Sequence, residues 1–254
     1  MKDNIIDRIQ QYWELVGKSA CPDDIVRDMS IDEIGRRLPK RSSVLDLGCG
    51  NGYCTFKFAE TNIKSIIGAD YSKASVDQAI DISSLYQDGT KAKIDFKQDD
   101  ALDLSFPDST FDVVITIRCL INVGDNENQL KALKQIHRVL KPNGIYLMCE
   151  NTISGLNNIN QARTVSGLSE IKTRWHNNYI DENLFSPHLN KLFNIIEENH
   201  FASTYYLVSR VVNAWICNEN NSEPKYEDEI NKMASKLPAA GEFSPMRLYV
   251  LKKK

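Results

Sequence analysis

Apolar residues recur along this chain with two different periods. Near the N-terminus Ile5, Ile6, Ile9, Trp13 and Val16 fall three or four apart, the spacing of one helical face. Asp23 and Asp24 can open a second helix, marked by Ile25, Met29, Ile31 and Ile34 and ended by Leu38 and Pro39. Residues 1–40 are therefore expected to form an N-terminal helical cap. From Ser43 the texture changes. Short apolar runs at 44–47, 65–70, 93–96, 111–117 and 144–149 read as five strands. Helical stretches separate them: one with Phe56, Phe58 and Ala59, one over 74–85, and one carrying Leu130, Leu133, Ile136, Val139 and Leu140. The last of these stops at Lys141-Pro142-Asn143-Gly144. Strands alternating with helices predict right-handed crossovers and a doubly wound, mostly parallel α/β sheet.

The pattern loosens after the fifth strand. Residues 151–185 are rich in Asn, Ser and Thr and read as a polar insertion over the sheet edge. A helix is expected over 187–199. The β-rich stretch 203–212 is expected as a sixth strand, and 246–251 as the last. This makes a seven-stranded unit over 41–254, with 151–185 covering a site.

Composition narrows the function. The chain has 254 residues, 42% apolar and 26% charged, as an ordinary folded protein does. No apolar run approaches the ~20 residues of a membrane span, and the first residues carry no secretory pattern. Lys and Arg total 31 against 34 Asp and Glu, a net charge of −3, which gives no broad attraction to nucleic acid. The six cysteines are scattered without a Cys-x-x-Cys pair. They read as reduced thiols of a cytoplasmic protein, with no zinc spacing. A metal-independent reaction is expected.

The sharpest local signal is Val44-Leu45-Asp46-Leu47-Gly48-Cys49-Gly50-Asn51-Gly52. An apolar strand ends in an acid and then in Gly-x-Gly-x-Gly. Glycines serve where the backbone turns tightly and a ligand approaches it closely. A dinucleotide site uses Gly-x-Gly-x-x-Gly, but Tyr53 stands at that third position. A carboxylate beside the loop also suits a cationic ligand better than a pyrophosphate.

These residues resemble the first motif of the class I S-adenosylmethionine (AdoMet) methyltransferases, and further features follow in order. Asp70 closes the second strand, 24 residues after Asp46. The resemblance implies that this acid binds the ribose hydroxyls, with Tyr71 beside it; as a bare residue it is also a fit helix cap. Gln98-Asp99-Asp100-Ala101 follows the third strand, where the family places an acid near the adenine, here Asp100 or else Asp99. The turn at 106–112 and that at 140–144 resemble later family turns. The resemblance implies a Rossmann-like methyltransferase fold, AdoMet as methyl donor and S-adenosylhomocysteine as product. It implies a cofactor site from Asp46, Gly48, Cys49, Gly50, Asp70, Tyr71, Asp100, Ala101 and Ile117.

The stretch Thr116-Ile117-Arg118-Cys119-Leu120-Ile121-Asn122 departs from the Asn/Asp-Pro-Pro-Tyr/Phe pattern of DNA amino-methylating relatives. It looks instead like the small-molecule enzymes, which makes Arg118 and Asn122 candidate substrate contacts. Arg174-Trp175-His176-Asn177-Asn178-Tyr179 supplies types that recur in polar-ligand sites. Arg174, Trp175 and Tyr179 are substrate candidates there, and His176 the candidate general base. His137, His188 and His200 read as packing or surface residues. Tyr12 and Trp13 are candidates to close over AdoMet, Arg27 to meet its carboxylate, and one face of Tyr205, Tyr206, Ser209 and Arg210 to meet the cover. The expected reaction is methylation of a hydroxyl on a polar small molecule, such as a sugar or glycan precursor. Methylation of an amine and a non-catalytic AdoMet-binding subunit are the alternatives. An RNA or protein acceptor stays open, as does a monomer or a homodimer.

Overall fold

A computed structural model describes residues 8–9, 22–86 and 92–254. The expected first helix, with Tyr12 and Trp13, and Cys21 lie outside the described residues. Helix α1 (Asp24–Gly35) begins where the two aspartates placed it. The Asp23 carboxylate caps it by accepting from Val26 N at 3.2 Å.

The sheet has seven strands: β1 (Ser43–Leu47), β2 (Ser65–Asp70), β3 (Lys93–Gln98), β4 (Phe111–Ile117), β5 (Leu140–Asn151), β6 (Phe193–Asn199) and β7 (Met246–Lys253). Their order is β3-β2-β1-β4-β5-β7-β6. The first five are mutually parallel, and β7 runs antiparallel between β5 and β6. Helices α2 (Tyr53–Ala59), α3 (Lys73–Tyr86) and α4 (Asn126–Val139) make the crossovers. Val113, Val114 and Ile115 are all fully buried because β4 is covered on both faces. Val113 and Ile115 face a cluster holding Val26 and Ile34 of α1. Val114 faces the one holding Leu133 and Ile136 of α4. The turn at Lys141–Gly144 lies inside β5 as an irregularity: Phe111 pairs with Leu140 but Val113 with Ile145.

The C-terminal third departs from the sequence expectation. Residues 153–165 form a helix, α5 (Ile153–Val165), in which Ile159 is fully buried. Helix α6 (Glu182–Leu192) starts earlier than expected, because Asp181 caps it by accepting from Asn183 N. It ends earlier too: the expected helical residues 193–199 are strand β6, drawn into the sheet by pairing with β7.

The expected strand at 203–212 is helical. It comprises α7 (Ser203–Leu207) and a π-turn over Val208–Val212, continued by α8 (Asn213–Glu219). Its β-branched residues give a strand-like composition, but tertiary partners override it. Tyr205 and Arg210 both donate to Asp23, Tyr205 at 2.8 Å. Two side chains five residues apart meet one carboxylate where the chain makes a π-turn. Helix α9 (Glu229–Ala234) precedes β7. Among the described residues no helix is long and apolar enough to cross a membrane.

Gly155, in the first turn of α5, rests on the backbone before β7. A Cβ there would lie 2.2 Å from Ser244 O and 2.7 Å from Pro245 Cα. Backbone cannot yield as a flexible side chain can, so G155A is expected to lose about 1–3 kcal/mol of stability. Urea unfolding would read this as a lower midpoint at an unchanged m value.

Candidate active site

A cavity of about 400 Å³ opens at the C-terminal ends of the parallel strands, within the usual range for small-molecule sites. One half is built on β1–β3. Asp46 is buried at the end of β1 and accepts from Thr55 Oγ1 at 2.5 Å. Burial pushes its carboxyl up to about 6, and the charge of Asp70 adds to this, against the Thr55 hydrogen bond. The glycine loop then turns in left-handed conformations, φ +79° at Gly48 and +54° at Gly50. Gly48 N donates to Ala69 O at 2.7 Å and Gly50 N to Asp70 Oδ2 at 2.8 Å. Asp70 Oδ1 accepts from Ser72 N at 2.9 Å. Asp70 therefore fastens the loop and the approach to α3 together while lying on the cavity wall.

After β3, Asp99 is nearly buried and holds its own loop, accepting from Ser105 N and, at 2.7 Å, from Ser105 Oγ. Asp100 accepts from Leu102 N at 2.8 Å. Asp99, Asp100, Tyr71, Cys49, Ala101 and Ile117 all line the cavity. Arg27 lines it too, but its guanidinium pairs with Asp24 (2.5 Å) and Asp28 (3.1 Å) and lies over the Tyr53 ring.

The other half starts at β4 and β5. Arg118 adopts φ +54° and donates its N–H to Cys149 O at 2.9 Å. The following turn, Leu120–Asn122, hangs on Glu150 at the end of β5. This buried carboxylate accepts from Cys119 N and Leu120 N, both at 3.0 Å, and from Ile121 N at 3.4 Å. Asn122 Nδ2 donates to Arg118 O at 2.8 Å. This orients Asn122 Oδ1 as a buried acceptor that no described protein group donates to; Asn151 Oδ1 is a second. Such an acceptor costs on the order of 1–3 kcal/mol until a ligand donor reaches it.

The segment after α5 covers this half. Asn178 N donates to Ile121 O, and Gln129 Nε2 to Asn178 O, each at 2.7 Å, so the cover is pinned to the turn. His176 is buried in the cavity wall. Burial and the adjacent Arg174 charge hold its pKa below the usual imidazole value. Burial pushes the Tyr179 phenol up.

Of the residues singled out in the sequence, the cavity gathers those of the glycine loop, Asp46, Asp70, Asp100, Arg118, Asn122, Arg174, His176 and Tyr179. Trp175 does not line it. Its ring is half exposed, with the Arg8 guanidinium 5.3 Å above it. Sequence reasoning missed Asn151, Lys172, Tyr226 and Glu150. Only Glu150 left a signal, an acid directly after the apolar run 145–149. Among the described residues no group of His, Cys, Asp and Glu is placed to hold a metal.

A family model described as a methyltransferase domain matches residues 38–225. The chain is 30% identical over 135 residues to a 27-O-demethylrifamycin SV methyltransferase of Amycolatopsis mediterranei, covering 52% of this chain and 47% of that protein. It is 37% identical over 163 residues to a ubiquinone/menaquinone biosynthesis C-methyltransferase of Vibrio campbellii, covering 59% of each. The chain thus spans about half the length of the curated relatives it matches. A solved SAM-dependent methyltransferase from Methanosarcina mazei shares the fold, with a TM-score of 0.57 over 87% of this chain and 96% of that one at 20% identity.

Glu150 makes a pH prediction. Burial raises its pKa from 4.5 to about 7, against the three backbone N–H donors that pull it down. A raised carboxyl binds a proton in the native state that the unfolded chain releases. Its contribution is fully present below pH 4.5 and lost as pH rises towards 7, on the order of 3 kcal/mol in all. Urea unfolding between pH 5 and 8 should show a fall in wild type that is flattened in E150Q. Parallel profiles would show that Glu150 does not titrate in this range.

Proposed function

The chain belongs to the methyltransferase-domain family, and from that premise we propose that it is an AdoMet-dependent enzyme that methylates a hydroxyl of a small molecule. The β1–β3 half fits AdoMet. The Gly48–Gly50 turn keeps the backbone bare, and a Cβ on Gly50 would project into open space with nothing within 4 Å. The Asp70 carboxylate lies on the cavity wall, and its two oxygens offer about four acceptor positions in all, which suits ribose hydroxyls as well as loop amides. Asp100, which lines the cavity beside Asp99, is the acid assigned to the adenine. When bound, AdoMet supplies a methyl group already activated on a sulfonium.

This chain's residues have three tasks. Gly48, Gly50, Asp70 and Asp100 hold the donor. Asn122 Oδ1 and Asn151 Oδ1 accept from hydroxyl or N–H groups of the acceptor. His176 takes the proton from the hydroxyl that is methylated. Its depressed pKa keeps the imidazole neutral at physiological pH, the form a general base requires. The buried His176 imidazole in the wall of the acceptor half is the observation that carries hydroxyl over amine methylation, because a neutral amine attacks through its own lone pair whereas a hydroxyl must give up its proton. Trp175, a substrate candidate in the sequence, stands outside the cavity lining and lends no support to a sugar acceptor.

Calorimetric titration with AdoMet and S-adenosylhomocysteine is the first test. Micromolar binding is expected, weakened about 10- to 100-fold in D70A by loss of charge-assisted hydrogen bonds. Absence of binding would sink the enzyme reading. Once a hydroxyl acceptor is found, H176A should lower kcat by about 100-fold or more with AdoMet affinity kept. The acid limb of the wild-type kcat/KM profile should break below pH 6.5. Unchanged turnover in H176A would remove His176 from the mechanism.

A further inference from the structure

The acceptor half of the cavity has a charge that the whole chain does not share. Among the described residues four cations line it: Arg118 after β4, Lys172 and Arg174 on the cover, and Arg210 on the π-turn. Among the described residues a single carboxylate lines the same half, Asp23, and it accepts from Arg210 and Tyr205. The acids Asp46, Asp70, Asp99 and Asp100 all belong to the β1–β3 half.

The cations are graded in depth. Lys172 and Arg174 are exposed at the mouth, Arg118 is half-buried and Arg210 is mostly buried. They also converge. Arg118, Arg174 and Arg210 each bear electrostatically on the Tyr179 phenol, and Arg174 on His176. Aromatic walls stand among them: the Arg210 guanidinium lies 5.1 Å from the Tyr206 ring centre and 4.7 Å from that of Tyr226. Both tyrosines line the cavity. A neutral acceptor closing this space would displace water from the exposed Lys172 and Arg174 head groups without returning an ionic contact. An anion offsets that loss, and a guanidinium matches a carboxylate or phosphate in shape as well as charge.

We propose that the methyl acceptor is an organic anion, a hydroxylated aromatic molecule whose carboxylate or phosphate is drawn in past the exposed Lys172 and held by Arg118 and Arg174 between the tyrosine walls. The proposal rests on the methyl-transfer reading and names its substrate class.

The test needs no knowledge of the natural acceptor. Protein saturated with S-adenosylhomocysteine is titrated by NMR with benzoate, phenyl phosphate and the neutral benzamide at low salt. At least one anion should bind about fivefold or more tightly than benzamide. A lead for benzoate assigns a carboxylate acceptor, and a lead for phenyl phosphate a phosphorylated one. The preference should shrink in R118Q and in R174Q, with S-adenosylhomocysteine affinity kept. R174Q changes an exposed mouth residue and is the safeguard if R118Q fails to fold. Benzamide binding as tightly as both anions, or an anion preference undiminished in R174Q, would overturn the proposal. Failure of the methyl-transfer reading would look different: the wild type would bind neither AdoMet nor S-adenosylhomocysteine.

Discussion

The reversal of strand order between β1 and β4 is the constraint on which the site depends. The two strands are parallel neighbours, Leu45 beside Val114 and Leu47 beside Thr116. The chain leaving β1 goes to β2, whereas the chain leaving β4 goes to β5 on the other side. The loops after Leu47 and Ile117 must therefore part, and a crevice opens between them. The glycine loop forms one lip and the Arg118 turn the other. They touch at the base: a Cβ on Gly48 would lie 2.7 Å from Cys119 Cβ and Sγ. The glycine at that position thus answers to the opposite lip as much as to any ligand.

Both lips are held by buried acids, an arrangement that costs desolvation energy. Asp46 is pushed up to about 6 and Glu150 to about 7. Asp46 is offset by one hydroxyl donor, Thr55. Glu150 collects three backbone N–H groups of the 119–121 turn, which would otherwise be buried without partners. An apolar residue in place of Glu150 would suit the core but strand those donors. The sequence breaks the apolar pattern of its own strand there because the turn beyond it needs acceptors.

The parallel half of the fold was legible because its signals are local. A run such as 113–117 is apolar throughout since β4 is covered on both faces, and Asp23 announces the helix it caps. The antiparallel edge was not legible. Residues 193–199 continue an apolar spacing that suits a helix, and only pairing with β7, some fifty residues later, makes them a strand. At 203–212 the β-branched composition pointed to a strand, but Asp23, far upstream, draws Tyr205 and Arg210 into a helical turn. In both places a partner distant in sequence outweighs local preference.

The same difference divides the two halves of the cavity. The β1–β3 half is made by backbone turns and by acids at strand ends, so it appears in the sequence as a compact, ordered motif. The acceptor half is assembled from Arg118, Arg174 and Arg210, carried by a strand end, a covering loop and a π-turn. No spacing rule links them, and a net charge of −3 averages them away. Net charge describes the far field of a protein, while a narrow, low-dielectric crevice responds to the few charges in its walls. A weak far field and a strong local pull on a small anion are therefore compatible. Only the fold, by bringing three separated arginines and Tyr179 to the wall of one cavity, makes the second visible.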